Sequence, residues 1–272
     1  MLAFYLYGFF IGIAILVSAS ISERFRKKIS SLQLPVSSFQ LVWWVVIPGI
    51  MGARLYHVLD YWEYYGKNLV KIFYVWEGGV GILGAIAGGI LGVWIFAKIK
   101  YKKQKIKNTN LKIKKFSEFF FSLLDIIAVG LPAGQAIGRL GNFLNQELYG
   151  LPTDLPWGIY IRPENRAAGY EAFDRFHPLF AYEAAWCLII FIIIITFIKV
   201  IKRRGKGELF FLYLGLYGLG RFFLEFLRIE KWTVFLPFLN WHLPVAQVIS
   251  IIFIIVAFTN IRILSNIRIY KS

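Results

Sequence analysis

The sequence predicts an all-α polytopic membrane protein: seven transmembrane helices, N-terminus outside, C-terminus cytoplasmic, and a small irregular cap on the outside. Three observations predict it. The 272 residues are 58% hydrophobic and only 17% charged, whereas soluble domains average close to half apolar and a quarter charged. The apolar residues gather into blocks about as long as the ~20 residues that a bilayer-crossing helix requires. Basic residues, finally, crowd into alternate connections between those blocks, as cytoplasmic loops of membrane proteins do.

The blocks are 2–20, 39–60, 80–97, 118–138, 178–200, 207–228 and 243–262. The first has no basic residue before its apolar core and no obvious small-residue cleavage site, so it reads as a retained helix rather than a signal peptide. Arg24, Arg26, Lys27 and Lys28 follow it. The second carries Arg54 and His57 near its outer end. The third starts in a glycine-dense stretch. Its Gly84, Gly88 and Gly92 recur every four residues, share one helix face and let a neighbour approach closely. A lysine-rich cytoplasmic loop, 98–117, comes next. The fourth block carries Asp125 in its inner half and ends at Arg139.

Residues 139–177 form the one sizeable outside segment, with Pro152, Pro156, Pro163, several glycines and a strand-like stretch at 157–161. This is the cap, with room for a hairpin. The fifth helix starts at His177-Pro178, proline being suited to a first helical turn. It carries Tyr182 and Glu183 in its first two turns. The lone Cys187 lies inside it and reads as a packed core thiol. Lys199, Lys202, Arg203, Arg204 and Lys206 follow on the cytoplasmic side, and the sixth and seventh helices complete one transmembrane domain, 1–272. No internal repeat is apparent. The formal charge of +16 would suit nucleic acid in a soluble protein. Here it marks the cytoplasmic connections, with at most a secondary attraction to anionic lipid heads, and no nucleic-acid partner is expected.

Charged groups near hydrocarbon are costly and usually functional. Two sets stand out. The run Gly138-Arg139-Leu140-Gly141-Asn142-Phe143-Leu144-Asn145-Gln146-Glu147-Leu148-Tyr149-Gly150 puts a cation, amides and a carboxylate where an apolar block ends. Tyr217, Arg221, Glu225 and Arg228 follow i, i+4, i+8 and i+11 spacing, one face of the sixth helix. With this topology Arg54, His57, Arg139, Glu183, Arg221, Glu225 and Arg228 all fall in the outer leaflet; Asp125 is the exception. That describes a cavity open to the outer leaflet, and arginines there suit a lipid phosphate held by paired charge-assisted hydrogen bonds. A plainer reading, in which Arg221 and Glu225 merely neutralise each other, stays open, although a buried pair rarely adds net stability. A pore would spread its polar groups through the full thickness, and a transporter would place them at the midplane. There is no G-x-S-x-G elbow, no H-E-x-x-H and no Cys/His cluster with metal-ligand spacing. No metal or cofactor is expected, and an enzyme of this kind would take its nucleophile from a substrate.

These residues resemble the prolipoprotein diacylglyceryl transferases of the bacterial inner membrane. The run from Gly138 to Gly150 is similar to that family's signature G-R-x-G-N-F-x-N-x-E-x-x-G at every fixed position. Gly49-x-x-Gly52-Ala53-Arg54, Trp76-Glu77-Gly78-Gly79, Asp125, His177-Pro178 with Tyr182-Glu183, the sixth-helix face and Gln247 extend the resemblance over nearly the whole chain. In the H-P-x-x-L-Y-E segment, Ala181 replaces the Leu. The resemblance implies transfer of diacylglyceryl from phosphatidylglycerol to the lipobox cysteine of a prolipoprotein, with release of glycerol phosphate. It implies that Arg139 and Arg221 are catalytic, holding the phosphate and stabilising charge on the leaving group. Asn142, Asn145 and Glu147 would position the headgroup or order the arginines. Tyr217 and Glu225 would fix Arg221, and Arg228 would sit at the lipid–water boundary. Gly150, Arg54 and Glu183 complete the expected substrate-binding set. The partners implied are phosphatidylglycerol, the surrounding lipid and the signal-peptide segment of prolipoproteins, for a chain expected to act as a monomer.

Two departures matter. Leu83 stands where the family's W-x-G-G-x-x-x-H-G-G motif carries its His, and leucine cannot accept a thiol proton. Another group, with His57 a candidate, or a positive field lowering the thiol pKa, would have to serve. Met1 also leads straight into the first helix, leaving no outside arm, and the family's first-helix tyrosine matches either Tyr5 or Tyr7. Two alternatives follow: a divergent member with altered or lost transfer, and a phospholipid-binding or transport protein using the same pocket.

Overall fold

The computed structural model describes residues 2–29, 36–106, 115–200, 206–236 and 241–269. Seven long helices account for most of them: α1 (Leu2–Ile29), α2 (Ser38–Asp60), α3 (Ile82–Ile106), α4 (Phe116–Leu144), α5 (Leu179–Val200), α6 (Glu208–Leu224) and α7 (Val245–Ile269). Six are long and apolar enough to cross a membrane, and the described apolar part of α7, Val245–Ile261, is shorter. Large apolar side chains such as Leu16, Trp43, Ile47, Met51, Ile192 and Phe258 are exposed on these helices. In water that would be an aggregating surface; against lipid it is the ordinary one. The chain is a multi-pass membrane protein.

α4 is the central helix. Some 67% of its apolar window is buried, against 17–33% in the other five spans, and it packs on α1, α3, α5 and α6. One core cluster joins Leu41, Val93, Phe96, Phe119 and Leu123 from α2, α3 and α4. A second joins Val129, Ile190, Ile194, Leu209 and Tyr213 from α4, α5 and α6. α2 and α3 approach backbone to backbone. A Cβ on Gly84, Gly88 or Gly92 would lie within 1.9–2.2 Å of the carbonyl oxygens of Gly52, Pro48 and Trp44 respectively. The four-residue glycine spacing of α3 thus meets a four-residue spacing on α2, which is the packing expected of small residues in a membrane.

Helix ends differ from the hydropathy blocks in a consistent way. α1 runs on to Ile29 and α3 to Ile106, so the first half of the basic stretch 98–117 is helix; residues 107–114 lie outside the described residues. Lys, Arg, Gln and Glu are good helix formers and nothing in those segments breaks the helix. α4 likewise continues to Leu144, placing Arg139, Gly141 and Asn142 on its last turns rather than in the cap. The opposite happens in α6, whose regular part ends at Leu224. Glu225–Leu227 form a 3-10 turn, and Arg228 is extended, paired as an antiparallel bridge with Gly150.

Asp125 explains the other end of α6. Its two carboxylate oxygens accept the backbone N–H groups of Gly207 and Phe210, each at 2.9 Å. Those are two of the donors that a helix start leaves without partners. Gly207 has φ +95° and offers no side chain, so the cap comes from a neighbouring helix.

Residues 139–177 contain one small antiparallel ladder, β1 (Ile159–Tyr160) with β2 (Arg175–Phe176); β1 falls within the strand-like stretch 157–161, and β2 lies outside it. Arg166 knits it together: it donates to the carbonyls of Ile161 and Glu171 and pairs with Asp174 at 2.7 Å. A second hairpin, β3 (Thr233–Leu236) with β4 (Trp241–Pro244), lies between α6 and α7 and was not expected from hydropathy.

Candidate functional site

The C-terminal ends of α4 and α6 and the N-terminal end of α5 lie at one end of the bundle, and their polar residues meet there. Glu183, in the second turn of α5, is the junction. One of its oxygens is ion-paired with Arg139 and the other lies 3.6 Å from Arg221. Arg221 also pairs with Glu225 one turn on, at 2.8 Å. The side chains of Glu183 and Glu225 are only 8% and 2% exposed. Buried carboxylates of this kind persist only when paired. Arg221 Nη1 is the nitrogen that faces Glu183; it is buried, and at 3.6 Å the pair is longer than a hydrogen bond.

Around Arg139 the signature run closes on itself. Arg139 Nη1 donates to Asn142 Oδ1 at 3.3 Å, and Asn142 Nδ2 faces Glu147 Oε2 at 3.4 Å. Asn145 Nδ2 donates to Glu147 Oε1 at 3.3 Å. Glu147 N donates to the Asn142 carbonyl at 2.8 Å, so the chain folds back over the helix end. Two non-glycine residues in the left-handed region, Gln146 (φ 53°) and Leu148 (φ 54°), make that reversal, an uncommon conformation that clusters at functional sites. Gly150 continues it: its N–H donates to the His177 carbonyl at 2.8 Å. A Cβ there would stand 2.8 Å from the Leu227 carbonyl oxygen and 3.1 Å from the His177 side chain. Glycine is needed at this position because three strands of backbone cross.

The run roofs a polar cavity of about 520 Å³ lined by Arg139, Asn142, Gln146, Glu147, Arg228 and cap residues including Asn165. Among the described residues no carboxylate stands within ion-pairing distance of Arg228. The lining carboxylates Glu164 and Glu230 are exposed, and Glu147 is held by the two asparagines. Tyr217 lies below, beside a narrow crevice shared with Glu183, Trp186, Cys187, Arg221 and Leu224.

Of the residues singled out in the sequence, Arg139, Asn142, Asn145, Glu147, Gly150, Glu183, Tyr217, Arg221, Glu225 and Arg228 are brought together here. Arg54 is not. Its guanidinium donates to the backbone carbonyls of Ile72 at 2.8 Å, Gly78 at 2.6 Å, Gly79 at 3.0 Å and Lys71, and it lies over the Tyr65 ring. Arg54 therefore pins the 66–79 segment to α2. His57 is beside it, against Tyr61 and Tyr65 and under Gly79, whose φ of +74° and lack of a side chain leave that ring its space. Neither His57 nor Leu83 lines the polar cavity. The side chains of Tyr5 and Tyr7 lie outside the described residues. No cluster able to hold a metal ion occurs among the described residues.

Two groups at the site were not read from sequence. Gln135 accepts from Tyr213 Oη at 3.0 Å, and Tyr213 stacks on Tyr217 with ring centroids 5.7 Å apart. Each lies one turn inward from a residue of the site, Arg139 and Tyr217, so extending the i, i+4 spacing finds both.

The family model for prolipoprotein diacylglyceryl transferase matches residues 1–263. Proteins named phosphatidylglycerol–prolipoprotein diacylglyceryl transferase are similar along most of the chain. The one from Fervidobacterium nodosum is 40% identical over 216 residues, 79% of this chain and 66% of the relative. That from Trichormus variabilis is 37% identical over 249 residues, 90% of this chain and 80% of the relative. That from Thermotoga maritima is 35% identical over 242 residues, 89% and 75%. With its signature run built into the arginine site, the chain belongs to the prolipoprotein diacylglyceryl transferase family.

Proposed function

We propose that this protein transfers diacylglyceryl from phosphatidylglycerol to the lipobox cysteine of prolipoproteins in the bacterial inner membrane. The observation that carries the reading is Glu183 bridging Arg139 and Arg221 beside a cavity that Arg228 also lines. Glu183 and Glu225 engage Arg139 and Arg221, while Arg228 stands in no ion pair among the described residues and is left for a phosphodiester. The headgroup enters the polar cavity. Its phosphate takes the exposed side of Arg139 and is stabilised by the charge of Arg221 across Glu183. The substrate sulfur attacks the glyceryl carbon next to the phosphate, the C–O bond breaks, and glycerol phosphate leaves with the electron pair. The arginines are already aimed at the oxygens where that charge grows, so little reorganisation is needed during the step. Asn142, Asn145 and Glu147 hold Arg139 and the headgroup; Glu225 and Tyr217 hold Arg221.

The same reading has seven spans, with the N-terminus outside, the C-terminus in the cytoplasm, and the site facing outward under the 139–177 cap. It needs no cofactor and one copy of the chain. The test mixes purified protein with phosphatidylglycerol and a lipobox peptide and reads the peptide mass. A diacylglyceryl increase is expected, abolished by Arg139→Ala. Full activity of the Arg139 variant refutes the assignment of that arginine. Specific phospholipid binding without any mass increase favours a lipid-binding or transport protein instead.

A further inference from the structure

One turn inward of the site, its three helices carry a second polar layer. On α4, Gln135 stands four residues before Arg139. On α5, Cys187 stands four after Glu183, and on α6, Tyr213 stands four before Tyr217. Four residues are about 6 Å along a helix, and the step is inward each time because α5 runs opposite to α4 and α6. The three side chains converge on one atom. Gln135 Oε1 accepts the Tyr213 hydroxyl at 3.0 Å, and Cys187 Sγ lies 3.9 Å from the same oxygen. Tyr213 and Cys187 are buried. Tyr213 carries the contact outward through its stack on Tyr217, the ring planes 26° apart.

Packing alone does not ask for these groups. Polar side chains inside a membrane protein are expensive and usually functional, and a layer of leucines would fill the same space. What the hydrogen bond adds is a fixed position. It is lost once donor and acceptor move about half an ångström beyond their present separation, whereas apolar side chains in contact specify no such pairing of atoms. α4 is also held to the start of α6 at a second height. Asp125, ten residues or about 15 Å further in, accepts the Gly207 and Phe210 N–H groups. Two fixed heights set the offset of one helix along the other, and the outer one lies next to the arginines. Arg139 belongs to α4 and Arg221 to α6, and both meet Glu183. A slip of α6 along α4 therefore moves one guanidinium relative to the other.

We propose that Gln135 and Tyr213 are positioning residues for the transfer reaction: their hydrogen bond fixes α6 against α4 and thereby the spacing of Arg221 and Arg139 about the phosphate. The proposal rests on the transferase reading of the site above. The pair acts through Tyr217 and the two helices, not on the lipid.

Tyr213→Phe keeps the ring and its stack and removes the donor; Gln135→Met keeps the length of the side chain and removes the acceptor. Each should lower kcat for peptide lipidation about tenfold, short of the ~10²-fold that a 1 Å misplacement costs. KM for phosphatidylglycerol should stay within about twofold of wild type, with Tm in detergent nearly unchanged. The double variant should lose no more than the worse single one, because both changes remove the same bond. Wild-type kcat in either single variant, whatever its Tm, overturns the proposal, and so do losses that multiply in the double variant. A distance measurement needs no turnover. Spin labels at the exposed Leu140 of α4 and Phe223 of α6 should give a narrow distance distribution that broadens or shifts when Tyr213→Phe is added. Wild-type protein without peptide transfer strikes the transferase reading and leaves this readout to decide the brace; an unchanged distribution overturns it.

Discussion

Replacing Glu183 by Gln removes one charge and almost no volume from the junction of the site, and it should push binding and turnover in opposite directions. The carboxylate touches two guanidiniums. At 3.6 Å and an effective dielectric constant near 20, each contact of opposite charges carries about 4–5 kcal/mol before desolvation is counted. With Glu183 only 8% exposed, little of that is screened, and breaking a buried pair from one side costs about 3–5 kcal/mol. By the usual scaling for a chain of this size, that lowers Tm by about 6–20 °C. The site also gains one net positive charge, so the KM for phosphatidylglycerol should fall. The arginines lose their common anchor, however, and a misplacement near 1 Å costs about 10²-fold in kcat. The assay is peptide lipidation at varied phosphatidylglycerol together with thermal unfolding in detergent. If kcat and KM both stay within about twofold of wild type, Glu183 is not the residue that positions the arginines. If KM rises at unchanged kcat, Glu183 contacts the lipid rather than its neighbours.

Arg54→Ala should leave peptide lipidation closer to wild type than Arg139→Ala does, while exposing the 66–79 segment to proteolysis, because four backbone carbonyls lose their shared donor; equal loss of activity with unchanged proteolysis would place Arg54 at the substrate instead. Asp125→Ala leaves the Gly207 and Phe210 N–H groups without acceptors. It should cost about 2 kcal/mol or more of stability, read as a Tm decrease with kcat at low temperature retained; an unchanged Tm contradicts the capping role.

Most of the site could be read in the sequence because membrane hydrocarbon makes every polar residue conspicuous. Arg139, Arg221, Glu225 and Glu183 stand out against Leu, Ile and Phe, and charge counting puts them at one level. What composition does not carry is pairing. Nothing in the spacing says that Glu183 belongs to two arginines from different helices, or that Asp125 caps a helix 82 residues later. Arg54 shows the same gap from the other side: an outer-leaflet arginine looks like a phosphate ligand until the carbonyls of the 66–79 segment are seen around it. The helix ends at Ile29 and Ile106 were hidden because hydropathy stops at the first lysines, whereas helix propensity does not. The break after Leu224 was hidden because no glycine or proline marks it; Arg228 turns extended to pair with Gly150, a tertiary demand. The ladder of β3 and β4 lies between two membrane blocks, where hydropathy has little to say.

Leu83 leaves the thiol proton without the imidazole that the family resemblance implies, and the geometry narrows what replaces it. Leu83 lies in the first turn of α3 and His57 is packed among Tyr61, Tyr65 and Gly79. The residues at the polar cavity include arginines and amides, with Glu147 held by the two asparagines and Glu164 and Glu230 exposed. A site of that make-up stabilises a thiolate through its field more readily than it removes the proton, because arginine next to a thiol favours the charged form. The sign follows: kcat should rise with pH and level off at the pKa of the bound thiol, brought below its ordinary value of about 8.5. An imidazole base would instead add an inflection of its own. A pH–rate profile for wild type and His57→Gln separates the two. An inflection that disappears in the variant would make His57 the base and refute activation by the arginine field.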